Sequence, residues 1–205
     1  QAFFFFFLSN IQYSITPYTP LGGYPEGPGY YVVGMTFTVL FIEALRSTLG
    51  TEFGLADMRG LRETGNYLLG MNGNVNTFNY GDGSPALQDM PALHWFASYY
   101  NMPQLSLYQR ENEVQSAYTF MSLLWYDPEI VEGMSADDQQ LDHLIYSDYY
   151  QSIASFRSDN GDAAKIYAAI KSGNPGSNHS DMDVGTFVME AMGQRWFQDL
   201  GSDNY

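Results

Sequence analysis

The chain contains no cysteine, only 8 Lys and Arg against 23 Asp and Glu, and 3 His in 205 residues. Without cysteine there is no disulfide, no thiolate nucleophile and no Cys-type zinc site, so a metal has only His, Asp or Glu to sit on. The redox compartment is left open. A net charge of −15 excludes a general nucleic-acid binder, which needs clustered cations to neutralise phosphates. A polyanionic ligand would have to be met by local positive charge. The opening "QAFFFFFLSN" has no Met, no basic leader and no small-residue cleavage site, and is not an intact signal peptide. Its apolar run is far short of the about 20 residues that span a bilayer. No membrane span is expected, and this stretch reads as a buried helix turn.

What is present is apolar and aromatic. Hydrophobic residues make up 45% of the chain, enough to bury a real core. Aromatics reach 17%, with 17 Tyr, many of them beside Gly, Asn, Asp and Ser, as on a surface that faces carbohydrate.

From Ile11 to about Glu132 the apolar spacing is helical, with helices expected over 33–49, 55–69, 85–99 and 103–124. Two long loops, "TPLGGYPEGPGYY" and "GNVNTFNYGDGSP", lie between them, and sites tend to be built on loops of this kind. After "WYDPEIVEGMSADDQQ" the period drops to 2. "HLIYS", "YYQSIASFR", "AAKIYAAIKS", "GTFVMEAMG" and "QRWFQDLG" read as short strands, the last two joined by a tight hairpin at "MGQ". The fold class expected is α+β, multidomain, with an α-helical part over 1–134 and an antiparallel sheet over 135–205. A sheet of about five strands ending at Tyr205 would lack its partner layer, so truncation at both ends is expected.

Three constellations can carry chemistry. In "NHSDMDVGTFV", His179, Asp181 and Asp183 share one face if the segment is extended, and the hairpin should return Asp199 towards them. A cation such as Zn²⁺ could then lie between Asp181 and Asp199, or these Asp residues could simply cap a turn. In "GGYPEGPGYY", Glu26 stands among Tyr24, Tyr30 and Tyr31, as a site carboxylate or as part of a rigid connector. In "NTFNYGDGSP", Asn79, Tyr80 and Asp82 precede an expected helix; a Tyr there can move protons if positive charge lowers its pKa, or the run is a Gly/Asp turn leading into the helix N-terminus. His94 and His143 sit among apolar neighbours and read as packing residues. Arg157 ends a strand in a cation-poor chain and is a candidate for anion contact.

Together, "GGYPEGPGYY", "FNYGDGSP", "LLWYDP", "SIASFRSD" and "KSGNPGSNHSDMDVGTFVMEAMGQRWFQDLGSDNY" resemble the heparinase II/III-like polysaccharide lyases, from about Tyr18 to Tyr205. The resemblance implies the last helices of an (α/α) toroid followed by the first strands of a β-sandwich, with the active site between them. It implies β-elimination at a uronic acid in an acidic polysaccharide, in the periplasm or outside the cell. By motif, Tyr80 and His179 would be the catalytic proton carriers, and Glu26 would sit in the loop that neutralises the substrate carboxylate. Tyr30, Asn79, Arg157 and Asn178 would bind substrate. The family commonly has a second His, a zinc ligand, where this chain has Asp181. Asp199 matches its carboxylate ligand, so a Zn or Ca site would rest on Asp181, Asp199 and a third ligand expected beyond Tyr205. Two other classes fit the same residues: a carbohydrate-binding relative that has lost the chemistry, and a glycoside hydrolase using Glu26 and Asp82 as its carboxylate pair.

Overall fold

The computed structural model describes residues 2–113, 119–135, 138, 141–147, 151–158 and 165–201. Six α-helices come first: α1 (Ala2–Ile15), α2 (Pro28–Leu49), α3 (Tyr67–Met71), α4 (Ala92–Tyr100), α5 (Pro103–Asn112) and α6 (Ser122–Trp125). Five strands follow, β1 (His143–Ser147), β2 (Gln151–Arg157), β3 (Tyr167–Gly173), β4 (Phe187–Ala191) and β5 (Gln194–Phe197). They form one antiparallel meander in the order β1-β2-β3-β4-β5. The α+β reading holds at this level.

α2 starts five residues ahead of the expected helix because Pro28 occupies its first turn, where a missing N–H costs nothing. Gly50 closes it in the left-handed conformation, its N–H on the Arg46 carbonyl. α2 is long and apolar enough to cross a membrane, but Tyr31, Met35, Val39 and Ile42 along it are all buried, and Glu43 accepts from the Trp95 indole at 2.6 Å. It is a core helix on these contacts. In α1, Phe6 is exposed whereas Leu8 and Ile15 are buried; the side chains at 2–5 and 7 lie outside the described set.

The expected helix over 55–69 is broken into turns, a 3-10 turn at Glu63–Asn66 and short α3. Gly60 explains the break. Its φ is +91°, and a Cβ there would lie 2.1 Å from the Tyr18 carbonyl oxygen, so a second backbone passes where a helical side chain would project. The helix expected from residue 85 begins only at Ala92. Ahead of it the Pro85 carbonyl accepts from Thr77 N–H at 2.9 Å, and Met90 N–H donates to Gln109 Oε1 at 2.9 Å. These backbone groups are committed elsewhere.

The strands match the expected runs, β3 ending one residue beyond its run at Gly173, because alternation had a core to point at. Met192 and Gly193 both take positive φ (53° and 71°) and join β4 to β5 as a two-residue hairpin. The inner face carries three register-aligned rows. Leu144, Ser155, Ala169 and Val188 pack on the helices; a Cβ on Gly70 of α3 would come within 2.3 Å of Leu144. Tyr146, Ile153 and Lys171 form a second row. The third, Arg157, Tyr167, Glu190 and Arg195, is polar. One hydrophobic cluster runs through both halves of the chain, so the change at residue 135 is a change of secondary structure over a shared core. The outer face leaves Ile145, Phe156, Ile170, Phe187 and Phe197 exposed. Among the described residues no second sheet covers it.

The polar row clamps the loop after α3. Buried Glu190 accepts from the N–H groups of Asn74, Val75 and Asn76 at 2.5, 2.8 and 3.0 Å and from Arg195 Nε and Nη2 at 2.9 and 2.7 Å. Arg195 donates onward to the carbonyls of Thr77 and Asn76 at 2.8 and 2.7 Å. Removing one partner of a buried pair leaves the other charge stranded. Glu190→Gln is therefore expected to lower unfolding free energy by about 3 to 5 kcal/mol in denaturant titrations. His94 packs as expected: it is buried, with Nδ1 2.7 Å from Ser106 Oγ, and burial pushes its pKa down from 6.5 to about 4. The unfolded chain then binds the proton more readily than the folded one. Stability should fall as pH drops from about 6.5 towards about 4, and His94→Gln should flatten that limb in thermal unfolding.

Candidate functional site

Three loops converge beside the sheet: residues 19–27 ahead of α2, 72–85 after α3, and 174–186 between β3 and β4. Lys171, on the inner face of β3, ties two of them together. Its ammonium pairs with Asp183 Oδ1, with both side chains almost fully buried, and reaches Ser180 Oγ at 3.3 Å. The other oxygen of Asp183 accepts from Gly81 N–H at 2.8 Å. Burial alone would raise the Asp183 pKa, but the Lys171 ammonium and the Gly81 amide hold it below the usual carboxylate range.

Gly81 carries the next link. At φ +60° its Cα faces the 174–186 loop so closely that a Cβ would lie 2.3 Å from the His179 carbonyl oxygen. That carbonyl accepts from Asp82 N–H at 3.1 Å, and the Asp82 carboxylate in turn meets His179 Nδ1 at 2.7 Å. The His179 ring stacks on Tyr30, from the first turn of α2, at 4.0 Å between centroids and 21° between planes. Asn178 beside it donates to Glu26 Oε1 at 3.3 Å, and the Tyr24 hydroxyl donates to Glu26 Oε2 at 3.3 Å. The structure thus brings together His179, Asp82, Tyr30, Asn178 and Glu26 from three separate stretches. A cleft of about 400 Å³ opens next to them, between Tyr13, Pro17 and Glu26 on one side and Asn174, Ser177 and Asn178 on the other.

Tyr80 sits behind this group with its side chain fully buried. Its hydroxyl donates to the Tyr24 carbonyl at 2.7 Å and shares a short hydrogen bond with the Tyr67 hydroxyl, while Lys171 Nζ lies 5.1 Å from its ring centroid. The phenol is turned into the core, whereas the His179 imidazole is partly exposed. Asn79 is also buried, accepting from Arg195 and donating to the Asp199 carbonyl, both at 3.3 Å. Arg157 is spent on backbone: its guanidinium donates to the Leu69 carbonyl at 2.6 Å and to that of Asn72, and lies over the Tyr167 ring.

The hairpin does return Asp199 to the start of β4, where its carboxylate accepts from Thr186 Oγ1 at 2.6 Å and Gly201 N–H at 2.8 Å. Burial, then the charges of Asp82, Asp183 and Asp199, raise the pKa of Asp181. Zinc would need three or four converging donors. Among the described residues no group of three or more His, Asp or Glu converges in that way. These residues do not by themselves fit a closed metal site.

Sequence reading missed Lys171, Tyr67 and the Glu190–Arg195 pair. The signal for Lys171 was available: Tyr167, Ala169 and Lys171 share one strand face. Nothing local marked Tyr67, whose hydroxyl finds its partner only across the fold.

Gly81→Ala tests the joint between the two loops. A left-handed residue with a Cβ meeting backbone is expected to cost about 1 to 3 kcal/mol in stability, seen as a lowered unfolding midpoint. The same change should free the His179 ring, seen as loss of its Tyr30 ring-current shift by NMR. No protein-family model matches the chain, and no curated protein matches it either.

Proposed function

We propose that this protein is a polysaccharide lyase, whole or in part, that cleaves uronic-acid-containing polysaccharides by β-elimination outside the cytoplasm. Its helices are then the end of an (α/α) toroid and its sheet the first layer of a β-sandwich. The observation that carries the reading is the His179–Asp82 contact at 2.7 Å, one residue along the chain from Asn178 in the cleft wall. An ionised carboxylate only accepts hydrogen bonds, so Asp82 fixes the N–H of the neutral ring on Nδ1 and leaves a lone pair on Nε2. A side chain oriented in this way is a general base.

Elimination needs three things: removal of the weakly acidic C5 proton, relief of the charge that builds on the adjacent carboxylate, and a proton for the departing 4-oxygen. His179 Nε2 takes the C5 proton. The C5–H electrons form the C4–C5 double bond, and the C4–O bond breaks with its electrons on oxygen. The Asn178 amide, oriented by Glu26, donates to the uronate carboxylate. Tyr80 can deliver a proton to the 4-oxygen once the Tyr24 carbonyl releases it; until then the imidazolium on His179 is the acid at hand. Hydrolysis by Glu26 and Asp82 is less well supported, because Asp82 is engaged by His179 and Glu26 by Asn178 and Tyr24.

Incubated with uronate polymers, the protein should release products with a conjugated double bond, read as near-ultraviolet absorbance. His179→Ala should lower that rate by about 10²- to 10⁴-fold, and Tyr80→Phe should lower it less, to the rate that the His179 imidazolium supports as the acid. New reducing ends without absorbance would replace elimination by hydrolysis. Tight binding with no product would make the protein a carbohydrate-binding relative.

A further inference from the structure

The cleft beside His179 is large enough for a sugar ring, and its charge is one-sided. Of the nine residues that line it, Glu26 carries the only charge, and the rest are Tyr13, Thr16 and a set of Pro, Gly, Asn and Ser. The chain's few cations are placed elsewhere. Arg46 pairs with Glu43, Arg110 with Glu111, Lys171 with Asp183 and Arg195 with Glu190, while Arg157 is bound to backbone carbonyls. Arg59, Arg62 and Lys165 do not line the cleft. Glu26 is half-buried and held by two neutral donors, Asn178 and Tyr24, each at 3.3 Å. A carboxylate or sulfate placed against Glu26 would meet like charge, and no cation lines the cleft to offset it. Hydroxyl, acetamido or ammonium groups would find an acceptor in Glu26, amide groups in Asn174 and Asn178, and an aromatic face in Tyr13.

We propose that this cleft is a subsite for a sugar ring that carries no anionic group, next to the uronate that His179 acts on, and that Glu26 sets this preference. The inference rests on the lyase reading for the identity of the neighbouring uronate. It narrows the substrate to polymers in which uronate alternates with neutral or amino sugars, against homopolymeric uronates and polymers sulfated on the alternate ring.

Binding is measured by calorimetry at near-physiological salt in the His179→Ala background, where turnover is slowed by the same factor of about 10²- to 10⁴-fold. The probes are three tetrasaccharides: uronate alternating with N-acetylhexosamine, uronate alternating with O-sulfated hexosamine, and a homo-uronate. The first is expected to bind about tenfold or more tightly than the other two. Glu26→Gln should shrink that ratio to within about threefold with the fold intact by circular dichroism, and Ser177→Lys, which adds a cation to the same wall, should reverse the order. Equal or tighter binding of the sulfated or homo-uronate probe to the Glu26-bearing protein overturns the proposal, as does failure of all three to bind. A retained preference in a protein that forms no unsaturated product would leave the subsite standing and sink the lyase assignment instead.

Discussion

Lys171 and Asp183 form an ion pair in a place where neither charge could stand alone. Both side chains are almost completely buried, and each ion would cost several kcal/mol to desolvate without its partner. Strand, site loop and the turn after Tyr80 are therefore coupled: Lys171 is fixed by the sheet register, Asp183 by Lys171, and Gly81 by Asp183. The Gly81–Asp82 turn then receives the His179 carbonyl, and Asp82 receives the imidazole. The orientation of the one partly exposed histidine in the site follows from a charge pair buried behind it.

The same economy runs through the chain. With 8 cations in 205 residues, most of those described serve internal partners, and the Glu190–Arg195 pair binds the helical half to the sheet much as Lys171 binds the site loops. Little positive charge is left for a ligand. That is why the cleft presents amides, hydroxyls, an aromatic ring and one carboxylate, and why an acidic polymer would be recognised here by geometry more than by attraction. A tyrosine group fills the space behind, buried except for half-buried Tyr24: Tyr18, Tyr24, Tyr31, Tyr67 and Tyr80 touch through rings and hydroxyls. Burial raises the pKa of Tyr18, Tyr31 and Tyr67 far above the ordinary range, so these phenols stay neutral and act as hydrogen-bonding core. The tyrosine richness that read as a carbohydrate-facing surface is in good part interior.

Strands were easier to find in the sequence than helices. An alternating run has one face to bury, and from Leu144 through Val188 the inward residues were those the period of 2 selects. Helices over 55–69 and 85–99 failed because periodicity carries no information about a crossing backbone. Gly60 is held open for Tyr18, and the amides before Ala92 are satisfied by side chains and carbonyls distant in sequence. Arg157 shows the same limit in a site residue: a lone cation at a strand end suits an anion, yet three-dimensional packing offers it the carbonyls at the end of α3 first.

Sequence alone determined that helices precede strands, that the sheet is antiparallel, the hairpin at Met192–Gly193 and the closeness of Asp199 to the start of β4. Each rests on local period, turn chemistry or chain direction. Tertiary structure decided which polar residues are available. Lys171 and Arg195 were turned inward, the Tyr80 hydroxyl was given to Tyr24 and Tyr67, and Asp82 was set against His179 across 97 positions. Those outcomes depend on which buried polar groups find partners first, a competition that is settled only when distant segments meet.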